Sequence, residues 1–191
     1  MTDTNSILMS AILINNILLI QFFGVSALAN IANRPSTAVA MAIATTGVVT
    51  LSAAVNHMVD NWILVPMQLG YLRTLTSILV IATLAQCGGL LIEAQRPALY
   101  RQLGGLLPWL ASNTLILAVA LQNSLNTLTF SQSVRSGLGA GLGFSLVLIL
   151  FCAICEKLAA ADVPRPFRGA AITMISAGLM SIAFIGLGGL A

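Results

Sequence analysis

The sequence predicts an all-α integral membrane protein of six transmembrane helices, arranged as two inverted three-helix repeats with helices 1 and 4 interrupted. Three observations point there. Hydrophobic residues fill 58% of the 191 positions, charged residues only 7%, and the mean hydropathy is +0.99. A water-soluble domain of this size could not hide so much apolar surface. The apolar residues also fall into six runs of about 20, the length a helix needs to cross roughly 30 Å of hydrocarbon. Little chain is left for anything else, so 1–191 reads as a single membrane domain, with repeat 1 about 1–95 and repeat 2 about 96–191.

Taken in order, the first span is expected at Ile7 to Ala29. It follows a polar Met1 to Ser6 stretch that carries Asp3 where a secretory signal would be basic, so the span is expected to be retained. The second runs from Thr37 to His57, after the Asn33-Arg34-Pro35-Ser36 punctuation. Asn61 to Gly70 surrounds Pro66 and holds too few apolar residues to span. It is expected to lie at the membrane surface, with Trp62 and Tyr71 as interfacial anchors. The third span is Leu72 to Ile92, closed by Arg96-Pro97, and the fourth is Leu103 to Gln122. The fifth is Ser136 to Cys155; the Asp162-Val163-Pro164-Arg165-Pro166 turn separates it from the sixth, Ala170 to Leu190. Proline lacks the amide hydrogen a helix interior requires, which is why these turns interrupt the apolar pattern.

Orientation follows from the basic residues, because cytoplasmic loops retain an excess of Lys and Arg. Loops 1-2, 3-4 and 5-6 hold Arg34, Arg96, Arg101, Lys157, Arg165 and Arg168, whereas the opposite side holds Arg73 and Arg135. The first set is therefore expected in the cytoplasm, and six spans then place both termini outside.

Three spans per half means that similar halves must be related by an inversion. Asn16 opens Ile17-Leu18-Leu19-Ile20 in helix 1 as Asn113 opens Thr114-Leu115-Ile116-Leu117 in helix 4. Thr46-Gly47-Val48-Val49 in helix 2 resembles Phe144-Ser145-Leu146-Val147 in helix 5 at a nearly matching offset. Asn15, Asn16, Gln21 and Gly24 interrupt helix 1, and Ser112 and Asn113 interrupt helix 4. Unpaired amides are costly in hydrocarbon, and paired broken helices mark the functional centre of many inverted-repeat membrane proteins. The competing reading is that these amides bond across helices as packing contacts.

Composition excludes several classes. The eight Lys and Arg residues are scattered among membrane segments, so lipid is the expected partner and nucleic acid is not. No glycine run is followed by the Lys of a phosphate loop. Asp3, Asp60, Glu93, Glu156 and Asp162 fall near helix ends, which leaves no carboxylate pathway through the spans. His57, beside Asp60, is expected in a solvated surface role. Cys87, Cys152 and Cys155 are expected as small apolar packing residues. The glycines at 137, 139, 141 and 143, and at 178, 186, 188 and 189, are expected to allow close helix approach.

The stretch Ala161-Asp162-Val163-Pro164-Arg165-Pro166-Phe167-Arg168-Gly169, with Ala177-Gly178-Leu179-Met180-Ser181 after it, resembles the signature of the RnfA/NqrE family of membrane subunits. Asn15-Asn16, Phe23-Gly24, Ala44-Thr45-Thr46, Tyr71-Leu72-Arg73-Thr74-Leu75 and Gly143-Phe144-Ser145-Leu146-Val147 extend the resemblance along nearly the whole chain. It implies a membrane component of an Rnf complex in the bacterial inner membrane. Such a complex couples electron transfer between ferredoxin or flavodoxin and NAD(H) to Na+ or H+ translocation, in some bacteria supporting nitrogen fixation. It further implies RnfE as a pseudo-two-fold partner, alongside RnfD, RnfG, RnfB and RnfC.

In that family two cysteines, one after the Phe-x-Gly of helix 1 and one after the Asn of helix 4, hold half of a [2Fe-2S] cluster shared with RnfE. The matching positions here are Ser26 and Thr114. Hydroxyls are poor substitutes for thiolates, so the resemblance implies a cofactor position whose usual ligands are missing. Two other readings stand beside the redox role. One is a free-standing inverted-repeat secondary transporter, the other a scaffolding subunit without redox function.

Overall fold

A computed structural model describes residues 35–95 and 110–188, and these are helical throughout apart from turns. We number the helices α1 (Pro35–Val59), α2 (Arg73–Gln95), α3 (Thr114–Leu125), α4 (Phe130–Ala159) and α5 (Ala170–Gly188). Among the described residues, three helical stretches are long and apolar enough to cross a membrane: Thr37–Leu64, Gly70–Ala94 and Phe130–Ala159. Thr114–Leu125 and Ala170–Gly186 are apolar but shorter. Helix 1, with Asn15, Asn16, Gly24 and Ser26, lies outside the described residues, as does the first part of the fourth expected span.

The α1–α4 crossing forms the core, and it is built on small residues. A Cβ placed on Gly137 would stand 2.8 Å from Ala53 Cβ, and one on Gly141 would stand 2.8 Å from Thr46 Cα, so neither position has room for a side chain. Where apolar lipid gives helices little hydrophobic reason to associate, such close backbone approach supplies the packing attraction. Hydroxyls reinforce it: Thr46 Oγ1 lies 2.9 Å from Ser145 Oγ, which also donates to Ala42 O at 3.1 Å. Around this seam, Phe144, Val147, Leu148 and Phe151 of α4 pack with Met41 and Val49 of α1 and with Leu115, Ile116 and Val119 of α3.

Elsewhere the glycines do something else. Gly178 and Gly186 of α5 have nothing within 4 Å of a built Cβ, so the close approach expected of them is not made with the described residues. The α5 helix instead leaves Leu179, Ile182 and Ile185 exposed, as a surface facing lipid or a neighbouring protein would.

Two boundaries differ from expectation. The α4 helix begins at Phe130 and not at Ser136, because its polar first turn is capped: Gln132 Oε1 accepts from both the backbone N–H and the hydroxyl of Thr129, each at 3.0 Å. Hydropathy registers that turn only as polar. The segment expected to lie flat after His57 instead prolongs α1 through a π-helical turn at Asp60–Leu64. It reverses at Gln68, whose φ of 55° makes the sharp bend, and re-enters α2 through a 3-10 turn at Gly70–Leu72. Trp62 and Tyr71 are both well exposed there.

Candidate functional site

The helix interruption marked by Ser112 and Asn113 has a defined geometry. Leu110 and Ala111 are helical, Ser112 turns, and Asn113 is extended (φ −71°, ψ 111°) before α3 starts at Thr114. Asn113 caps α3, its side-chain oxygen accepting from Leu115 N at 3.1 Å, which satisfies one of the amide groups that every helix start leaves open. The residue is buried, yet among the described residues its Nδ2 has no hydrogen-bond partner, and the same holds for Thr45 Oγ1 on α1. Leaving a buried polar group unpaired costs about 1–3 kcal/mol, so the break is not satisfied by local packing alone. Thr114 is exposed, on the surface of this chain and not within its core. Ser26, Asn15, Asn16 and Gly24, the other expected members, fall outside the described residues.

The donor set at the two positions expected to face a cluster does not suit iron and sulfide. Clusters of this kind are held by thiolate sulfur, and Thr114 offers a hydroxyl, as Ser26 does in the sequence. The remaining cysteines stand elsewhere. Cys152 and Cys155 are buried in α4 as packing residues, whereas Cys87 is exposed on α2 and so does not pack as expected.

A second polar region lies where α1, α2 and the α3–α4 connection meet, around a cavity of about 460 Å³. Here an ion pair joins two helices: Arg73 Nε donates to Asp60 Oδ1 at 2.9 Å, with 28% and 15% of the two side chains exposed. Ser124 of α3 donates its hydroxyl to Asp60 Oδ2, so one carboxylate ties three helices together. His57 is not the solvated surface residue expected of it. It is half-buried, its Nε2–H donates to Leu128 O at 3.0 Å, and its ring stands edge-on to Phe130 at 5.7 Å. The amides of Asn56 and Asn123 also line the cavity. Asn56 donates to Ser52 O and Oγ, both at 2.9 Å, and Asn123 donates to Ser133 O at 3.2 Å and Oγ at 3.0 Å.

Sequence reasoning misses this region, although a signal exists. Asn56 and Asn123 are amides within or beside apolar spans, the same criterion that singles out Asn113.

Comparison with known proteins bears on the whole chain. The family model described as "Rnf-Nqr subunit, membrane protein" matches residues 4–191. A protein of Pseudomonas aeruginosa, named as the A component of an ion-translocating oxidoreductase complex, is 49% identical over 191 residues, covering 100% of this chain and 98% of that protein. Proteins of the same name from Azotobacter vinelandii and Aeromonas salmonicida are 48% and 47% identical, again over 100% of this chain and 98% of theirs.

Proposed function

Because this chain belongs to the Rnf-Nqr family of membrane subunits, we propose that it serves as the RnfA component of an ion-translocating oxidoreductase complex, the activity named for its relatives. Identity near one half along the entire length carries this conclusion, since nothing in the described part of the chain alone forms a catalytic centre. The chain is a membrane part of a larger translocase. In this reading the complex moves electrons between ferredoxin or flavodoxin and NAD(H) and uses them to drive Na+ or H+ across the bacterial inner membrane. RnfE is its pseudo-two-fold partner, and RnfB, RnfC, RnfD and RnfG complete the assembly.

The reading extends to six spans in two inverted repeats, about 1–95 and 96–191, with helices 1 and 4 interrupted and both termini periplasmic. The α1–α4 seam supports the repeat. Thr46 and Ser145 lie within runs that resemble each other, and their hydroxyls meet at 2.9 Å. Equivalent helices crossing near a two-fold axis bring matching runs together, here through positions one residue out of register. The capped break at Asn113 supports an interrupted fourth helix. The excess of Arg and Lys in loops 1-2, 3-4 and 5-6 supports the orientation.

Ser26 and Thr114 occupy the cluster position without its chemistry, so we assign no iron-sulfur ligation to this chain and route no electron through it. The test is purification of the tagged chain in mild detergent. Flavin- and iron-sulfur-bearing partners should copurify with it, and low-temperature paramagnetic resonance of the dithionite-reduced pair of this chain with RnfE should show no [2Fe-2S] signal. A chain that emerges alone would sink the proposed role in the complex. A cluster signal at the pair would sink the cofactor reading.

A further inference from the structure

Resting on that proposed role, we propose that the cavity at the α1–α2 turn is an antechamber for a monovalent metal cation, with Asp60, Asn56 and Asn123 as oxygen donors and Arg73 as the charge the cation displaces. The hydrogen bonds fix the sign of the site. Ser52 O and Ser133 O are backbone carbonyls and can only accept, so the Asn56 and Asn123 amides must present their NH2 groups to them. The atom each amide has left is its carbonyl oxygen, and both residues line the cavity.

Asp60 adds a carboxylate, and Thr76, Ser77 and Ser124 bring hydroxyls to the same wall. Among the described lining residues, Arg73 is the one Arg or Lys, and it is already engaged by Asp60. An anion entering here would meet oxygen acceptors and no unengaged cationic group. A hard cation would meet the ligands it prefers. One carboxylate and several neutral oxygens suit a single positive charge, since tightly held divalent ions call on more carboxylates. The volume accommodates the ion with part of its water shell.

The pairing also explains how a cation could enter without a large penalty. A half-buried carboxylate stripped of its partner is costly, but exchanging Arg73 for a metal ion leaves Asp60 paired throughout, while Arg73, the more exposed of the two, swings its guanidinium into water. Asp60 is, moreover, the first residue of the π-helical turn. Such turns occur mostly as single insertions and are frequent at functional sites. His57 has a different part: it holds the α3–α4 connection over the cavity through Leu128 O and is not a ligand.

The experiment uses the assembled complex in native membranes, with Cys87, Cys152 and Cys155 replaced by alanine and a single probe introduced as Thr76→Cys or Ser77→Cys. A positively charged, membrane-impermeant methanethiosulfonate is added on the side that carries the 60–71 turn, at constant ionic strength with choline as the inert ion. Both probes should react. Sodium or potassium should slow the reaction roughly threefold when the cation stands at twice its dissociation constant. That protection should vanish with Asp60→Asn while labelling persists.

Failure of both probes to react overturns the proposal, as do rates indifferent to sodium, potassium and lithium. Protection that survives Asp60→Asn overturns it too. The cation arm needs no Asp60 variant, so it decides the matter even where that variant fails to assemble. Partner copurification is scored separately: missing partners defeat the proposed role in the complex, whereas a complete complex whose cysteines ignore cations defeats only the antechamber.

Discussion

Two turns in this chain each set an aspartate against an arginine, and the pairs behave differently because of where they sit. Asp60 and Arg73 meet across the α1–α2 turn at 2.9 Å, with most of both side chains buried and a third helix attached through Ser124. Asp162 and Arg168 meet across the α4–α5 turn at 3.4 Å, with 102% and 60% of their side chains exposed. Arg168 also donates to Val163 O at 2.7 Å, so that pair closes a turn upon itself and joins no helices. Coulomb attraction in water is weak and screened, whereas the same pair out of water is strong and leaves an expensive remainder when broken. Composition cannot separate the two pairs; burial does.

The largest expected effect lies at the seam beneath the first pair. Gly141→Val sets atoms against the Thr46 backbone, which cannot yield as a flexible side chain would. The cost should be at least about 3 kcal/mol, read as loss of the intact complex on detergent size exclusion. Asp60→Ala should come next, lowering thermal stability by on the order of 2 kcal/mol as the charge-assisted bonds to Arg73 and Ser124 are lost. Asn113→Ala should cost about 1 kcal/mol through the missing cap on α3, visible as faster amide exchange in Leu115 and its neighbours. The smallest effects should be Asp162→Ala and Gly178→Ala, each leaving the melting temperature unchanged within error. An Asp162→Ala variant as damaging as Asp60→Ala would erase the contrast between the turns.

The helices are legible in the sequence because lipid imposes one simple rule: a long apolar run with satisfied backbone. Thr37 to His57 and Leu72 to Ile92 coincide with α1 and α2, to within three residues at each end, for that reason. The start of α4 is not legible, since its first turn is held by the Gln132 cap and not by apolar periodicity. The break at Asn113 is marked by a polar residue inside an apolar run. Thr114 is placed by resemblance, and its exposure becomes visible only in three dimensions. The Asp60–Arg73 pair is hidden because its members are 13 residues apart with a reversal at Gln68 between them. Periodicity carries no information across such a reversal. The burial of His57 is hidden for the same reason, since Leu128 lies 71 residues away in sequence.

The central claim, that this chain is a working membrane part of an ion-translocating oxidoreductase, is tested most directly by removing it and putting it back. Inverted vesicles from cells lacking the chain should lose cation uptake driven by electron transfer between ferredoxin and NAD, and expressing the chain again should restore it. Uptake that proceeds undiminished without the chain would contradict the account.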